Sequence, residues 1–136
     1  IAAVRKFQAA WRSGERAALP AAIGDLCGLG PGLTPAGDDW LAGWLLGRHL
    51  ASDRTELAGL SGPIVAAAAG RTTTLARALL ACAAAGEADE AWHELLVALA
   101  EESAAQRIGR AVACILGHGA TSGATMLAGF LAGVET

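Results

Sequence analysis

Two adjacent carboxylates, Asp38 and Asp39, close a loop that reads GLGPGLTPAGDD over residues 28–39. Its four glycines permit positive φ angles and close approach of a ligand to the backbone. Its two prolines fix φ near their own ring angle, so the loop is shaped rather than floppy. It feeds a helix start, where free N–H groups and the helix dipole favour an anion. The backbone of Gly30, Gly32 and Gly37, with the hydroxyl of Thr34, is therefore a candidate cradle for a carboxylate or phosphate. Adjacent helical residues point about 100° apart. One aspartate is expected to bond loop amides, and the other to face an amino group, a water or a cation.

A second loop, GHGATSG at residues 117–123, also precedes a helix. His118, flanked by glycines, is a candidate general acid or base, and Thr121 and Ser122 add hydroxyls. A third segment, RTTT at 71–74, offers the Arg71 guanidinium as a fork for an anion and Thr73 at a helix start. The plain structural reading of all three is a set of capping turns. The first loop lacks the Gly-Lys-Ser/Thr of a nucleotide-binding P-loop, and no strand precedes it as a dinucleotide site requires. Ser122, His118 and Asp38 lack a nucleophile-elbow sequence. Two carboxylates alone do not make a metal site, so no metal and no cofactor is assigned. A hydrolase using a metal at Asp38 and Asp39 stays a minor reading that predicts sensitivity to a chelator.

Alanine and leucine dominate the elements that must position these groups, and the alternation of strands is absent. The patterning predicts an all-α domain of seven to eight helices. They fall near residues 2–12, 15–26, 38–51, 62–69, 73–85, 89–102, 104–116 and 122–133. Asp38 or Gly37, one of the threonines at 72–74, and Ser122 are expected helix caps, and Gly86 an expected helix stop. Two helices echo one another: GDDWLAGWLLG at 37–47 and GATMLAGFLAG at 123–133. Both carry Gly-xxx-Gly, at Gly43/Gly47 and Gly129/Gly133, which puts two glycines on one helix face. The expectation is that these helices cross closely in the core and bring their N-terminal loops together.

The 136 residues suit a single domain, read as the C-terminal part of a longer protein. Residues 111–134 carry no formal charge, but the Gly-His-Gly break and the hydroxyl side chains argue against a membrane span. A net charge of −3, no basic run and 4% aromatics give nucleic acid neither an electrostatic nor a stacking surface. Cys27, Cys82 and Cys114 form no CxxC pair and are expected as small core residues in a reducing compartment. The four tryptophans are expected in the core, with Trp40 near enough to the first loop to wall a pocket, and His49 and His93 on the surface.

Three segments in order, GLGPGLTPAGDDWLAGWLLG, RTTTLARALLACAAAGE and GHGATSGATMLAGFLAG, resemble the bacterial family that includes the AllH subunit of oxamate carbamoyltransferase, an enzyme of anaerobic allantoin degradation. The resemblance spans about residues 25–133 and is most specific in the first loop. The third segment departs from the shorter Gly-His-Thr-Ser-Gly of the family: Gly119 and Ala120 intervene, and Ala124 and Thr125 stand where an acidic residue often follows. The resemblance implies a cytoplasmic protein connected with carbamoyl transfer, acting as a homo-oligomer or with other subunits. It implies a small anionic ligand, with His118, Thr121 and Ser122 completing the site from the second loop. The alternative is a non-catalytic helical subunit or assembly domain.

Overall fold

A computed structural model describes residues 2–52, 54–101 and 104–135. Among these residues the chain is all α-helical, with no strand. The helices are α1 (Ala2–Arg12), α2 (Leu19–Leu26), α3 (Ala36–Ala51), α4 (Arg54–Ala68), α5 (Thr74–Ala84), α6 (Glu90–Leu99), α7 (Ala105–Leu116) and α8 (Ser122–Val134). A 3₁₀ turn, Arg16–Ala18, leads into α2, and Pro20 sits in the first turn of α2, where its missing N–H costs nothing.

Helix α3 is the axis of the domain. It is buried at every position from Gly37 to Arg48, as a helix apolar on all sides must be. Its most extensive partner is α8. The two glycine pairs interlock. A methyl group placed on Gly43 would lie 1.9 Å from the Met126 carbonyl oxygen, and one on Gly47 2.2 Å from that of Phe130. From the other side, Gly129 would meet Trp40 O at 2.0 Å and Gly133 would meet Trp44 O at 2.3 Å. The two backbones therefore touch directly, as the repeated Gly-xxx-Gly predicts. At the far end, the buried Arg48 guanidinium donates to Gly133 O at 3.2 Å, satisfying a carbonyl that the end of α8 leaves open.

Helix α1 covers another flank of α3. Phe7 and Trp11 each stand edge-on to the Trp44 ring at 4.8 Å between centroids, and Phe7 meets Trp40 at 5.8 Å. Trp92 on α6 packs on Phe130 of α8 at 5.4 Å. All four tryptophans are buried, as expected. No helix among the described residues is long and apolar enough to cross a membrane.

Four expectations need correction. The fourth helix is not a short segment at 62–69 but runs from Arg54 to Ala68, with Pro63 inside it. Leu57, Leu60, Ile64 and Ala68 form its buried stripe, while Gly59, Gly62 and Pro63 are exposed. The turn-forming residues thus lie on the solvent side, and the buried periodicity overrides them. Helix α3 begins at Ala36 behind Pro35, so neither Asp38 nor Gly37 is its cap. Ser122 is the first residue of α8 rather than its cap. Cys82 and Cys114 are exposed, and only Cys27 is a core cysteine. The expected reach of the sixth helix to residue 102 lies outside the described residues.

Candidate functional site

The N-terminal ends of four helices converge on one cavity of about 530 Å³. Asp38 and Asp39 reach it from the first turn of α3, and Ala76 from the first turn of α5. Asp89, the N-cap of α6, and Ser122, the first residue of α8, complete the ring. The α3–α8 glycine contact makes this possible, because it brings the loops preceding both helices together. Thr34 and Ser122, 88 positions apart, share a hydrogen bond of 2.9 Å. Ala42, Leu46 and Met126 form one apolar wall, Leu79, Cys82 and Ala83 another, and Trp92 lies in a third with Glu87 and Ala88.

Asp38 is 2% exposed. Its Oδ2 accepts from the Gly28 amide and from the Thr72 hydroxyl, both at 2.8 Å. Its Oδ1 is buried and has no hydrogen-bond partner. A buried carboxylate oxygen without a donor is costly, and such atoms call for an explanation. Asp39, 5% exposed, stands beside it. Burial pushes the Asp39 carboxyl above its ordinary value; the Ser122 hydroxyl opposes this, the Asp38 charge adds to it, and the Thr34 hydroxyl opposes it. Asp38 thus bonds a loop amide, as one of the two was expected to, while both aspartates line the cavity.

His118 lines the cavity with its Nδ1 3.5 Å from Asp89 Oδ2. Asp89 Oδ1 meanwhile accepts from the amides of Ala91 and Trp92, which caps α6 and fixes the carboxylate in place. The Trp92 indole Nε1 is a second buried group without a partner. Cys27, beneath Asp38, is held as a thiol, its pKa pushed up to about 11 chiefly by burial and next by the Asp38 charge, against the lowering effect of Arg71.

Of the residues singled out from sequence, Asp38, Asp39, Thr34, His118 and Ser122 share this cavity. Gly30, Gly32, Gly37, Arg71, Thr73 and Thr121 are not among its lining residues. Gly37 packs on α2, where a methyl group would sit 2.0 Å from Leu26 O, and its amide donates to Leu29 O at 2.9 Å. Gly30 and Gly32 are exposed in the loop. Arg71 donates to Gly24 O at 3.1 Å, tying α2 to the segment before α5. Thr121 O accepts from the Thr125 hydroxyl at 2.9 Å. Thr73 caps α5 by accepting from the Ala76 amide at 3.0 Å, and its hydroxyl donates to Leu33 O, which clamps the first loop. Thr73→Ala removes the cap and the clamp together; it should cost about 1–2 kcal/mol and lower the melting temperature by several degrees in a thermal denaturation.

Among the polar, thiol and aromatic side chains of the lining, sequence reasoning missed four. Trp92 rather than Trp40 walls the cavity, and Glu87, Asp89 and Cys82 join it. Asp89 carried a signal, an acidic residue at a helix start; the others carried none before the α5–α6 turn was known. That turn ends α5 with Gly86 at φ 78°, the Gly86 amide bonding Ala83 O and the Glu87 amide bonding Cys82 O. His49, expected on the surface, is half-buried, with Nε2 3.1 Å from Ala84 O just before the same turn. Among the described residues no group of three or more His, Cys, Asp or Glu side chains is arranged to hold a metal ion.

Comparison with known proteins adds one finding. No curated protein and no solved structure matches the chain. A family described as oxamate carbamoyltransferase subunit AllH matches residues 26–134, from the end of α2 to the end of α8 and including every residue of the cavity, and the chain belongs to that family.

Proposed function

We propose that this chain is the substrate-holding helical subunit of a carbamoyltransferase-type assembly, and that the cavity among α3, α5, α6 and α8 receives the nitrogen that accepts the carbamoyl group. The observation that carries this is the convergence of Thr34, Asp38, Asp39, His118 and Ser122 on one cavity. Asp38 is fixed in place by two hydrogen bonds to its Oδ2, and it holds the first turn of α3 so that Asp39 stands at the cavity.

When a nitrogen attacks the carbamoyl carbon of a carbamoyl donor, the new C–N bond forms, the bond from that carbon to the phosphate oxygen breaks with the phosphate taking the electron pair, and the nitrogen must lose a proton. Asp39 is the group to take it, since burial raises its proton affinity toward the range a general base needs. The hydroxyls of Thr34 and Ser122 orient that carboxylate from the two loops. His118, steadied by Asp89, is the second proton-carrying group at the cavity. Among the described residues no Lys or Arg lines the cavity, so the phosphoryl end of a carbamoyl donor is assigned to a partner subunit.

Cys82→Trp tests this reading, because Cys82 is exposed and lines the cavity, so a large side chain there fills the space without disturbing the core. Turnover by the assembled enzyme should fall at least tenfold, with the melting curve of the subunit unchanged. Gln106→Trp, exposed on α7 and away from the cavity lining, serves as the control. Unchanged turnover with Cys82→Trp would leave the assembly-domain reading standing.

A further inference from the structure

From the first loop and the helix start it feeds, the cavity takes only Thr34, Asp38 and Asp39. Residues 29–33 lie outside it and are exposed. Gly30 and Gly32 hold φ angles of 114° and 101°, which other residues rarely adopt. A methyl group on Gly32 would meet nothing within 4 Å, so this glycine makes room for no other part of the domain and serves the shape of the loop alone. That shape is held from several sides. The Gly28 amide donates to Asp38 Oδ2, the Gly37 amide to Leu29 O and the Thr73 hydroxyl to Leu33 O, while Thr34 pairs with Ser122. What the loop presents is Leu33, at 72% the most exposed large apolar side chain among the described residues.

Leu33 does not stand alone. Thr73, which clamps its carbonyl, leads into α5, where Leu75 and Leu79 follow four residues apart and so on one helix face. Both are exposed, and Leu79 lines the cavity, as does Thr34 beside Leu33. The three leucines form an apolar ledge at the cavity mouth. Exposed leucines scattered singly are ordinary, whereas a cluster beside a site marks a contact surface. The mouth itself is acidic. Glu87 and Asp89 are exposed there, Asp38 and Asp39 stand deeper, and no Lys or Arg joins them among the described residues. Arg77, the one charged residue of α5, lies on the opposite side of that helix from the ledge. A second copy of the chain fits this surface poorly. In a two-fold dimer the same patch meets itself, so two acidic mouths would face each other. A different chain with a basic face suits both the ledge and the mouth, and the family is that of a subunit.

We propose that Leu33, Leu75 and Leu79 are the docking surface for a different, basic-faced subunit of the carbamoyltransferase assembly, which seats an apolar patch on the ledge and extends an Arg or Lys over the mouth toward Glu87 and Asp89. This rests on the cavity being the site of the accepting nitrogen, and it locates the partner that holds the phosphoryl end of the donor. The partner's cation meets the phosphoryl group at the mouth, while the nitrogen lies inside, near Asp39. A loop fixed before binding loses little conformational freedom when the partner seats on it. The glycines and prolines of the first loop thus serve an interface, and only its last residues serve the cavity.

The assembled enzyme carrying a benzophenone-bearing residue in place of Leu33 should, on irradiation, crosslink to a different subunit. No crosslink, or one only to a second copy or within the same chain, would overturn the proposal. In binding measurements of the purified chain against the remaining subunits, Leu33→Asp should raise Kd by about tenfold or more, as a charge in the apolar centre of an interface does. Glu87→Lys should raise it several-fold, mainly through slower association, and should flatten its dependence on salt. Leu131→Asp is the reference. That leucine is also mostly exposed, but it lies toward the C-terminal end of α8, away from the cavity lining, and its change should leave Kd within about twofold. Melting curves confirm that each variant folds. Equal weakening by Leu33→Asp and Leu131→Asp, or tighter binding by Glu87→Lys, would overturn the docking surface. If Leu33→Asp releases the partner while Cys82→Trp leaves turnover intact, the docking surface stands and the carbamoyl-transfer role of the cavity falls. If Leu33→Asp leaves the assembly intact while Cys82→Trp abolishes turnover, the cavity remains the substrate site and the docking surface is wrong.

Discussion

Gly43→Ala and Gly129→Ala should each lower the melting temperature by more than about 10 °C, or prevent folding. Inserting a methyl group into a packed core usually costs about 1–3 kcal/mol, because neighbouring side chains yield. Here nothing can yield cheaply. The new carbon would lie 1.9 Å from Met126 O in one variant and 2.0 Å from Trp40 O in the other, and both oxygens belong to helix backbone. Relief requires α3 and α8 to separate by about an ångström, which loosens Trp44, Leu45 and Phe130 along the seam. We therefore expect about 3 kcal/mol or more for either variant, at roughly 4 °C per kcal/mol for a domain of this size. The double variant should cost clearly less than the sum of the singles, since one separation relieves both clashes. Gly109→Ala is the contrast. It lies on the exposed side of α7, a methyl group there meets nothing within 4 Å, and the change should stabilise by about 0.5–1 kcal/mol. A milder spreading of the seam would also part Thr34 from Ser122, so ligand binding should fail before the fold does.

That seam was legible because glycine spacing in an apolar helix has a narrow physical meaning: two backbones must touch. Once α3 and α8 are in contact, their preceding loops have to meet, and the juxtaposition of Asp39, Thr34 and Ser122 follows. The glycines of the first loop were harder to read. Close backbone approach was anticipated, but the nearest body was the domain's own chain, Leu26 at Gly37 and Arg71 at Gly28. A glycine does not announce whether it makes room for a ligand or for a helix. Arg71 was ambiguous in the same way, and its guanidinium serves a helix carbonyl. Helix α4 was misread because Gly59, Gly62 and Pro63 speak of turns locally, whereas Leu57, Leu60 and Ile64 bury a continuous stripe. The rest of the cavity wall, Trp92 with Glu87 and Cys82, depends on how α5 turns into α6, and nothing local in the sequence encodes that packing.

Asp38 and Asp39, neighbours in sequence and in the cavity, should respond to the same substitution with opposite signs. Burial raises the Asp39 pKa above its ordinary value, so the folded chain holds that proton more tightly than the unfolded chain. Its contribution to stability is therefore fully present below the unfolded pKa, near 3.8, and is lost as pH rises through the higher folded value. At neutral pH an ionised Asp39 strains the fold. Asp39→Asn keeps an acceptor for Ser122 and Thr34 without the charge, so it should melt roughly 2–5 °C higher than the parent at pH 7. The gain should vanish as pH falls below about 4, where the parent carboxyl is also neutral. Asp38→Asn should instead melt lower at pH 7, because it weakens two charge-assisted hydrogen bonds, from Gly28 N and Thr72 Oγ1, that fasten the first loop to the segment before α5. Both variants should lose turnover in the assembled enzyme, Asp39→Asn by at least about a hundredfold if it removes the general base. Melting curves at pH 4 and pH 7 decide the matter. A destabilised Asp39→Asn, or a gain that persists unchanged at pH 4, would mean that Asp39 is a structural carboxylate serving the fold. A more stable and inactive Asp39→Asn would mean that the domain carries a buried charge at a cost to its own stability, as a site poised to accept a proton does.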